Sequence, residues 1–138
     1  PRYSVDPQSK QVIEEILIDD GNLFLIDGKP FAVATAKGLF PSLVNDEVLK
    51  TLPSIVVDMG AIPHICNGAD IMRPGIKEVD GEFEKGAVLV IRDLRFGKPI
   101  GISVSETSSE LMRTMSKGKA AQNVHYVGDQ FWEAAKKS

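Results

Sequence analysis

The sequence has one cysteine, Cys66, in 138 residues, so it cannot form an internal disulfide bond. Proteins that rely on disulfides are secreted or face an oxidising compartment, and we therefore expect a reducing, cytoplasmic setting. The sequence also lacks a signal peptide and any apolar run approaching the roughly 18–20 residues of a membrane span. We expect no membrane partner.

A strong excess of charge is also missing. The net charge is −3 and the pI is about 5.4, which argues against a chain that coats nucleic acid or anionic membrane indiscriminately. The balance is uneven, because residues 91–138 carry eight basic and five acidic side chains. These bases alternate with apolar residues, which indicates a folded basic surface or ordinary surface lysines. They are Arg92, Arg95, Lys98, Arg113, Lys117, Lys119, Lys136 and Lys137.

Catalytic and metal-binding patterns are scarce. His64 and Cys66 would lie about 200° apart around a helix and could not form a nucleophilic pair there, so Cys66 is better interpreted as a small core residue. The two histidines and the one cysteine do not match the spacing of metal ligands, because His125 is far from the other two in the sequence. The GxxxxGK phosphate loop is absent. We expect no catalytic residues, no cofactor and no metal site.

The composition, with 43% hydrophobic and 25% charged residues, is that of a folded domain. In the first 50 residues the clearest pattern is a hairpin, with strands at 23–26 and 31–36 around Asp27-Gly28. A short helix is predicted at 45–50, starting from an Asn45 or Asp46 cap, and the segment 12–18 fits either an edge strand or a helix end.

From Ser54 onward, short apolar strands separated by turns predict a small, partly closed barrel. Thr107 to Glu110 has the pattern of a capping box that opens a helix ending at 117–118. A last hairpin is predicted around Gly128-Asp129. The predicted fold class is α+β, with a small N-terminal α/β unit and then a pseudo-barrel of five to six mainly antiparallel strands with short helices.

The most informative segment is 67–76, where a helix ends at Asn67-Gly68, a strand follows, and Arg73 precedes a Pro-Gly turn. Together with 57–61 it resembles the PUA domain, the module named for pseudouridine synthases and archaeosine transglycosylases. The segments 85–90, 97–101, 118–120 and 123–129 match that domain in order.

The segment 37–43 extends the resemblance to a pre-PUA unit. The pair is similar to that of the T-cell malignancy (multiple copies) protein, of ligatin and of their stand-alone archaeal relatives, although Ser42 stands where relatives usually have threonine. We therefore expect a pre-PUA-like unit at 1–53 and a PUA domain at 54–138. Because the chain begins at Pro1 and lacks an initial Met, a truncated start of the first unit is left open.

The resemblance implies RNA binding without catalysis, to tRNA or small-subunit ribosomal RNA, in translation or tRNA metabolism. It carries RNA contacts over to the glycine loop, the next strand and the last hairpin, at Asn67, Gly68, Ala69, Asp70, Met72, Arg73, His125 and Tyr126. Phosphate contacts are expected from Arg73, Lys98, Arg113, Lys117 and Lys119, and Tyr126 is expected to stack on an unpaired base. For Phe131 and Trp132 a place in the core is favoured.

The implied partners are structured RNA and, in the translation-linked relatives, the small ribosomal subunit or a translation-factor protein. Two alternatives stay open. The chain could be the RNA-recognition part of an RNA-modifying enzyme of the tRNA-guanine transglycosylase or pseudouridine synthase type, or a protein-interaction adaptor that docks through its acidic first unit.

Overall fold

The computed structural model describes residues 2–5 and 11–137. Within these residues the first sheet is an antiparallel meander in which each strand pairs with the next along the chain. Its strands are β1 (Arg2–Val5), β2 (Val12–Ile18), β3 (Gly21–Ile26), β4 (Lys29–Thr35) and β5 (Gly38–Pro41). The segment 12–18, for which the sequence allowed a strand or a helix end, is thus a strand.

The predicted hairpin of the first unit forms as β3 and β4. Its turn contains Asp27 with φ 51° and Gly28 with φ 81°, the left-handed backbone that an Asp-Gly turn between two strands provides. The short helix α1 (Asp46–Leu49) follows β5. Asn45 precedes it without a capping hydrogen bond from its side chain, whose amide nitrogen donates to the carbonyl of Phe31 at 3.2 Å.

The second sheet is curled and has the strand order β7-β11-β10-β9-β6-β8 within the described residues. All its neighbours are antiparallel except β6 and β9, which are parallel. The strands are β6 (Ser54–Val57), β7 (Ile71–Met72), β8 (Ile76–Asp80), β9 (Val88–Asp93), β10 (Pro99–Ser105) and β11 (Lys119–Tyr126). This arrangement confirms the predicted α+β class and the mainly antiparallel half-barrel.

Short helices connect these strands. A 3₁₀ turn at Met59–Ala61 runs into α2 (Ile62–Ile65), and a second 3₁₀ turn occupies Arg73–Gly75. The helix α3 (Ser109–Thr114) begins one residue later than the predicted capping box requires. Ser108 is its cap, since its side chain accepts the amide hydrogen of Leu111 at 3.2 Å.

The predicted last hairpin is wrong, because the chain after β11 forms a helix, α4 (Gln130–Lys136). Asp129 serves as its cap and accepts the amide hydrogen of Trp132 at 2.8 Å. Phe131 and Ala135, four residues apart, lie on one face of α4 and are buried. That face packs on the first sheet, and α4 thereby joins the two sheets.

The interior forms two apolar clusters. One lies inside the curled second sheet and includes Ile55, Leu89 and Met112. The other combines Leu23 and Val33 of the first sheet with residues of the second sheet and Phe131. Because the second cluster spans both sheets, the first sheet is held against β9, β10 and β11 by a shared core.

Candidate functional site

The loop that connects α2 to β7 is tightly closed. Gly68 has φ +95°, a backbone conformation that favours glycine, and its amide donates to the carbonyl of Ile65 at 3.0 Å. The amide of Ala69 donates to the carbonyl of His64 at 3.0 Å. The helix ends here as the sequence predicts, and the side chains of Asn67 and Ala69 are exposed. We call residues 66–70 the glycine loop.

A buried side chain of β11 holds this loop in place. Asn123 is 3% exposed, and its amide nitrogen donates to the carbonyls of Ile65 and Ala69, both at 3.0 Å. Its backbone amide donates to the carboxylate of Asp70 at 2.9 Å. The loop is therefore fixed before any ligand arrives, which lowers the entropic cost of binding.

Tyr126, at the end of β11, lies against the glycine loop. A methyl group at Gly68 would lie 3.4 Å from the phenolic oxygen of Tyr126 and 3.6 Å from its ring. The absence of a side chain at Gly68 thus lets the ring and the loop backbone approach closely. The half-buried Tyr126 and the glycine loop form one continuous surface.

Asp70 connects the loop to a cation. Its carboxylate lies 3.2 Å from the ammonium of Lys119, which also lies 3.2 Å from the carboxylate of Glu106. Partial burial alone would raise the pKa of Asp70, but the hydrogen bond from the Asn123 amide and the ammonium of Lys119 lower that pKa below 3.8. The hydrogen bonds to Asp70 and then Glu106 raise the pKa of Lys119 above 10.5. With two carboxylates beside it, Lys119 contributes little net positive field.

Arg73 is an anchor for its surroundings. Its Nε donates to the carbonyl of Met112 at 2.6 Å, and its Nη1 donates to the carbonyl of Ile76 at 2.9 Å. Its backbone amide donates to the carbonyl of Gly118 at 2.8 Å. The guanidinium therefore joins β7 and the turn after it to α3, and an RNA contact from Arg73 stays a prediction.

His125 does not present its side chain to a ligand. It has no exposed surface, its Nε2 accepts the amide hydrogen of Leu43 at 3.2 Å, and its Nδ1 lies 2.8 Å from the carboxylate of Asp129. Because Nε2 is an acceptor, the ring proton is on Nδ1 and is donated to Asp129. This burial corrects the expectation of an RNA contact from the His125 side chain, because the ring lies in the interior with both nitrogens engaged by protein groups.

The predicted phosphate contacts lie in three places. Lys117 is exposed just before Gly118, whose carbonyl accepts the Arg73 amide hydrogen, so it lies next to the turn after β7. Lys98 lines a different cavity, of about 360 Å³, together with Trp132 and Lys136. Arg113 is paired with Glu82 at 3.0 Å and donates to the carbonyl of Gly81 at 2.8 Å.

A second, mostly apolar cavity of about 360 Å³ opens under the glycine loop. Ala61, His64, Ala69 and Met72 are among its lining residues, and Met72 is 49% exposed. The exposed faces of the loop and of Met72 thus border an apolar recess suited to a flat ring.

Cys66 ends α2 and is partly buried, and that burial raises the pKa of its thiol, as expected of a core residue.

In residues 2–5 and 11–137 no group of three or more His, Cys, Asp and Glu side chains could hold a metal ion. No helix in the described part of the chain has the length and apolarity needed to cross a membrane.

The curled, mainly antiparallel second sheet places the chain in the class of small, partly open β-barrels. Residues 53–127 match the PUA domain, and the chain belongs to the PUA-domain family. The PUA domain is an RNA-binding module.

The chain is 37% identical over 123 residues to an uncharacterized protein of Methanocaldococcus jannaschii. The alignment covers 87% of this chain and 75% of that protein. It is 28% identical over 131 residues to Translation machinery-associated protein 20 of Saccharomyces cerevisiae, an alignment that covers 89% of this chain and 72% of that protein. It is 32% identical over 84 residues to Malignant T-cell-amplified sequence 1 of Rattus norvegicus, an alignment that covers 59% of this chain and 46% of that protein. The predicted family resemblance is thereby confirmed.

A hypothetical protein of Pyrococcus horikoshii has a similar solved structure, with a TM-score of 0.77, 30% identity, and coverage of 91% of this chain and 80% of that one. A PUA-domain structure from Aeropyrum pernix superimposes with a TM-score of 0.76 and 27% identity, covering 97% and 80%. Both likenesses extend over the first sheet as well as the second.

Two residues of the site had no assigned role in the sequence interpretation. Asn123 holds the loop, and the ammonium of Lys37, in the turn between β4 and β5, donates to the carbonyl of Asn123 at 2.9 Å. Both residues lie in segments that carried the family resemblance. The sequence has no local signal that pairs them, because they are 86 positions apart.

Proposed function

We propose that this protein is a non-catalytic RNA-binding protein of translation or tRNA metabolism. It recognises a structured RNA, tRNA or small-subunit ribosomal RNA, at the surface formed by the glycine loop, Met72, Lys117 and Tyr126. A translation-factor protein or the small ribosomal subunit is its proposed partner, in the cytoplasm. The similarity to a translation machinery-associated protein over 89% of the chain supports this assignment.

The contact between Gly68 and Tyr126 is the observation that carries the proposal. A loop backbone without a side chain lies beside a half-buried aromatic ring, and the buried amide of Asn123 holds the loop in place. A sugar-phosphate backbone can approach such a loop closely, while an unstacked base can lie on the ring. Base stacking on an aromatic side chain contributes about 1–3 kcal/mol.

The charges at this surface favour a small site. Lys119 is balanced by Asp70 and Glu106, so the proposed phosphate contacts are Lys37, whose ammonium reaches the Asn123 carbonyl, and the exposed Lys117 next to the turn after β7. Few phosphates can then be neutralised, so binding should depend only modestly on salt. A small site of this kind selects RNA by shape or by an accessible end.

Filter binding with purified tRNA, intact or lacking its 3′ end, over a salt series tests the proposal. We expect intact tRNA to bind more tightly than shortened tRNA. Tyr126→Ala should weaken binding by about tenfold, the loss of one stacked base. Lys117→Ala should lower the salt slope by about 0.7–0.9, the value for one phosphate contact. Lys29→Ala, a change in the first sheet away from the loop, is the matched control.

Equal binding of intact and shortened tRNA would show that the protein does not recognise the 3′ end of tRNA. Ribosomal RNA would then be the target to assay. Wild-type affinity in Tyr126→Ala and Lys117→Ala would contradict the proposed surface. Binding to neither tRNA nor the small ribosomal subunit above nonspecific affinity would contradict the proposed function.

A further inference from the structure

A cavity of about 530 Å³ lies where the first sheet meets the end of β11 and the start of α4. We call it the inter-sheet cavity. The first sheet contributes Asp20, Thr35, Ala36 and Lys37, and the other wall consists of Val124, Tyr126, Gly128, Asp129, Gln130 and Phe131. Its volume is in the range of about 300–1,000 Å³ that is typical of small-ligand sites.

Two hydrogen bonds that connect the sheets involve residues of this cavity. The ammonium of Lys37 donates to the carbonyl of Asn123 at 2.9 Å. The side-chain amide of Gln130 donates to the carboxylate of Asp20 at 2.8 Å. These contacts hold the two walls at a fixed separation, so the cavity is preorganised for a ligand.

The cavity is continuous with the proposed RNA surface, because Tyr126 belongs to both. Its phenol approaches Gly68 on one side, and the residue lines the inter-sheet cavity. Lys37 also acts on the loop, since its charge contributes to lowering the pKa of Asp70. A nucleotide in the cavity could therefore be part of an RNA held at the glycine loop.

The charges in the cavity are distributed unevenly. The carboxylate of Asp129 is occupied by the amides of Tyr126 and Trp132 and by His125, so it is engaged within the protein. Lys37 has three ammonium protons, and the bond to Asn123 uses one. A phosphate is therefore favoured beside Lys37 and disfavoured beside Asp20, where a base can form hydrogen bonds instead.

We propose that the inter-sheet cavity binds one unpaired nucleotide of the RNA, with its phosphate at Lys37 and its base beside Tyr126. This inference rests on the proposed function and assigns part of RNA recognition to the first sheet. Val124 and Phe131 supply apolar lining, and Asp20 with Gln130 supplies the polar groups for a base edge. Such a site combines a cation, an aromatic ring and a polar edge, as single-nucleotide recognition requires.

The test uses the full chain and four variants. In tRNA filter binding, Lys37→Ala should weaken affinity by about tenfold, and Lys37→Arg should stay within about threefold of wild type because the charge remains. Ala36→Leu should weaken binding by about tenfold by filling the cavity without changing the charge. Lys29→Ala is the matched control, since Lys29 begins β4 on the order of 20 Å from its far end.

A second measurement locates the ligand. Titration with AMP, CMP, GMP and UMP, followed by the backbone amide resonances, should shift residues 35–37 and 126–130 in the wild type and not in Ala36→Leu. If tRNA binds the wild type but Lys37→Ala and Ala36→Leu match Lys29→Ala, the inference is overturned and the proposed function stands. If those variants keep the tRNA affinity of Lys29→Ala and mononucleotides nevertheless shift the cavity residues, the site serves free nucleotides. The assignment of the cavity to RNA is then likewise overturned. If the wild type binds no RNA, both proposals are overturned.

Discussion

The imidazole of His125 accepts the backbone amide hydrogen of Leu43 at 3.2 Å, and this bond ties the last strand of the second sheet to the segment that follows the first sheet. The ring is fully buried and packs edge-on against Phe131, with 6.0 Å between the ring centroids. His125 is therefore a structural link between the two sheets.

This link predicts a loss of stability when His125 is truncated. His125→Ala would leave the Leu43 amide and one bond of Asp129 unsatisfied and would open a cavity, which should lower the free energy of unfolding by about 2–4 kcal/mol. Urea unfolding measures this change, with Lys29→Ala as the control. RNA affinity of the folded protein should stay within about twofold. An equally stable variant that has lost RNA affinity would show that His125 contacts RNA after all.

Gly68 should tolerate no side chain. Gly68→Ala places an alanine at φ +95° with its methyl 3.4 Å from the Tyr126 oxygen, and we expect a loss of about 1–2 kcal/mol in unfolding free energy. The matched control is Gly86→Ala, which has φ +90° but open space around it. Both should lose stability, whereas only Gly68→Ala should weaken tRNA binding, by about tenfold. Equal RNA affinity in the two variants would exclude a close approach of RNA to the glycine loop.

Arg73 and Lys117 should behave differently although both are basic and lie next to Gly118. Arg73→Ala removes hydrogen bonds to the carbonyls of Met112 and Ile76 and should cost about 1–3 kcal/mol of stability. Arg73→Lys should recover less than half of that loss, because an ammonium cannot reproduce the guanidinium geometry. Lys117→Ala should lower the salt slope of RNA binding without a comparable loss of stability. A changed slope with unchanged stability in Arg73→Ala would identify Arg73 as a phosphate contact.

Asp70 should make stability depend on acid pH. Its folded-state pKa is held below 3.8, so its contribution is fully present above about pH 5 and is lost as the pH falls through that lowered pKa. The stability difference between wild type and Asp70→Asn, from urea unfolding, should be constant above pH 5 and shrink below pH 4. A difference that grows with acid would contradict the Asp70–Lys119 arrangement.

Local chemistry made much of the fold predictable. The Asp-Gly turn at 27–28 and the helix end at Asn67-Gly68 each need a left-handed backbone, and the structure has it at Asp27, Gly28 and Gly68. The region after β11 was mispredicted because Asp129 favours both a hairpin turn and a helix start. The helix forms because Asp129 caps it and Phe131 and Ala135 bury on the first sheet, a contact that no local pattern contains.

The candidate site likewise contains features that follow from local sequence and features that depend on distant contacts. The glycine loop was predictable, since a terminating glycine and the following strand are adjacent in sequence. The roles of His125 and Arg73 were not, because their partners Leu43 and Met112 lie 82 and 39 positions away. A polar side chain looks the same in a sequence whether it faces a ligand or a distant backbone carbonyl, and the difference appears only after folding.

Ultraviolet crosslinking of the protein to its native RNA, followed by identification of the crosslinked peptides, tests the central claim most directly. Crosslinks should fall on the glycine loop, residues 66–70, and on the segment around Tyr126, and Gly68→Ala should reduce them while Gly86→Ala does not. Crosslinks confined to the strand 12–18 of the first sheet, or no crosslinked RNA at all, would contradict the account.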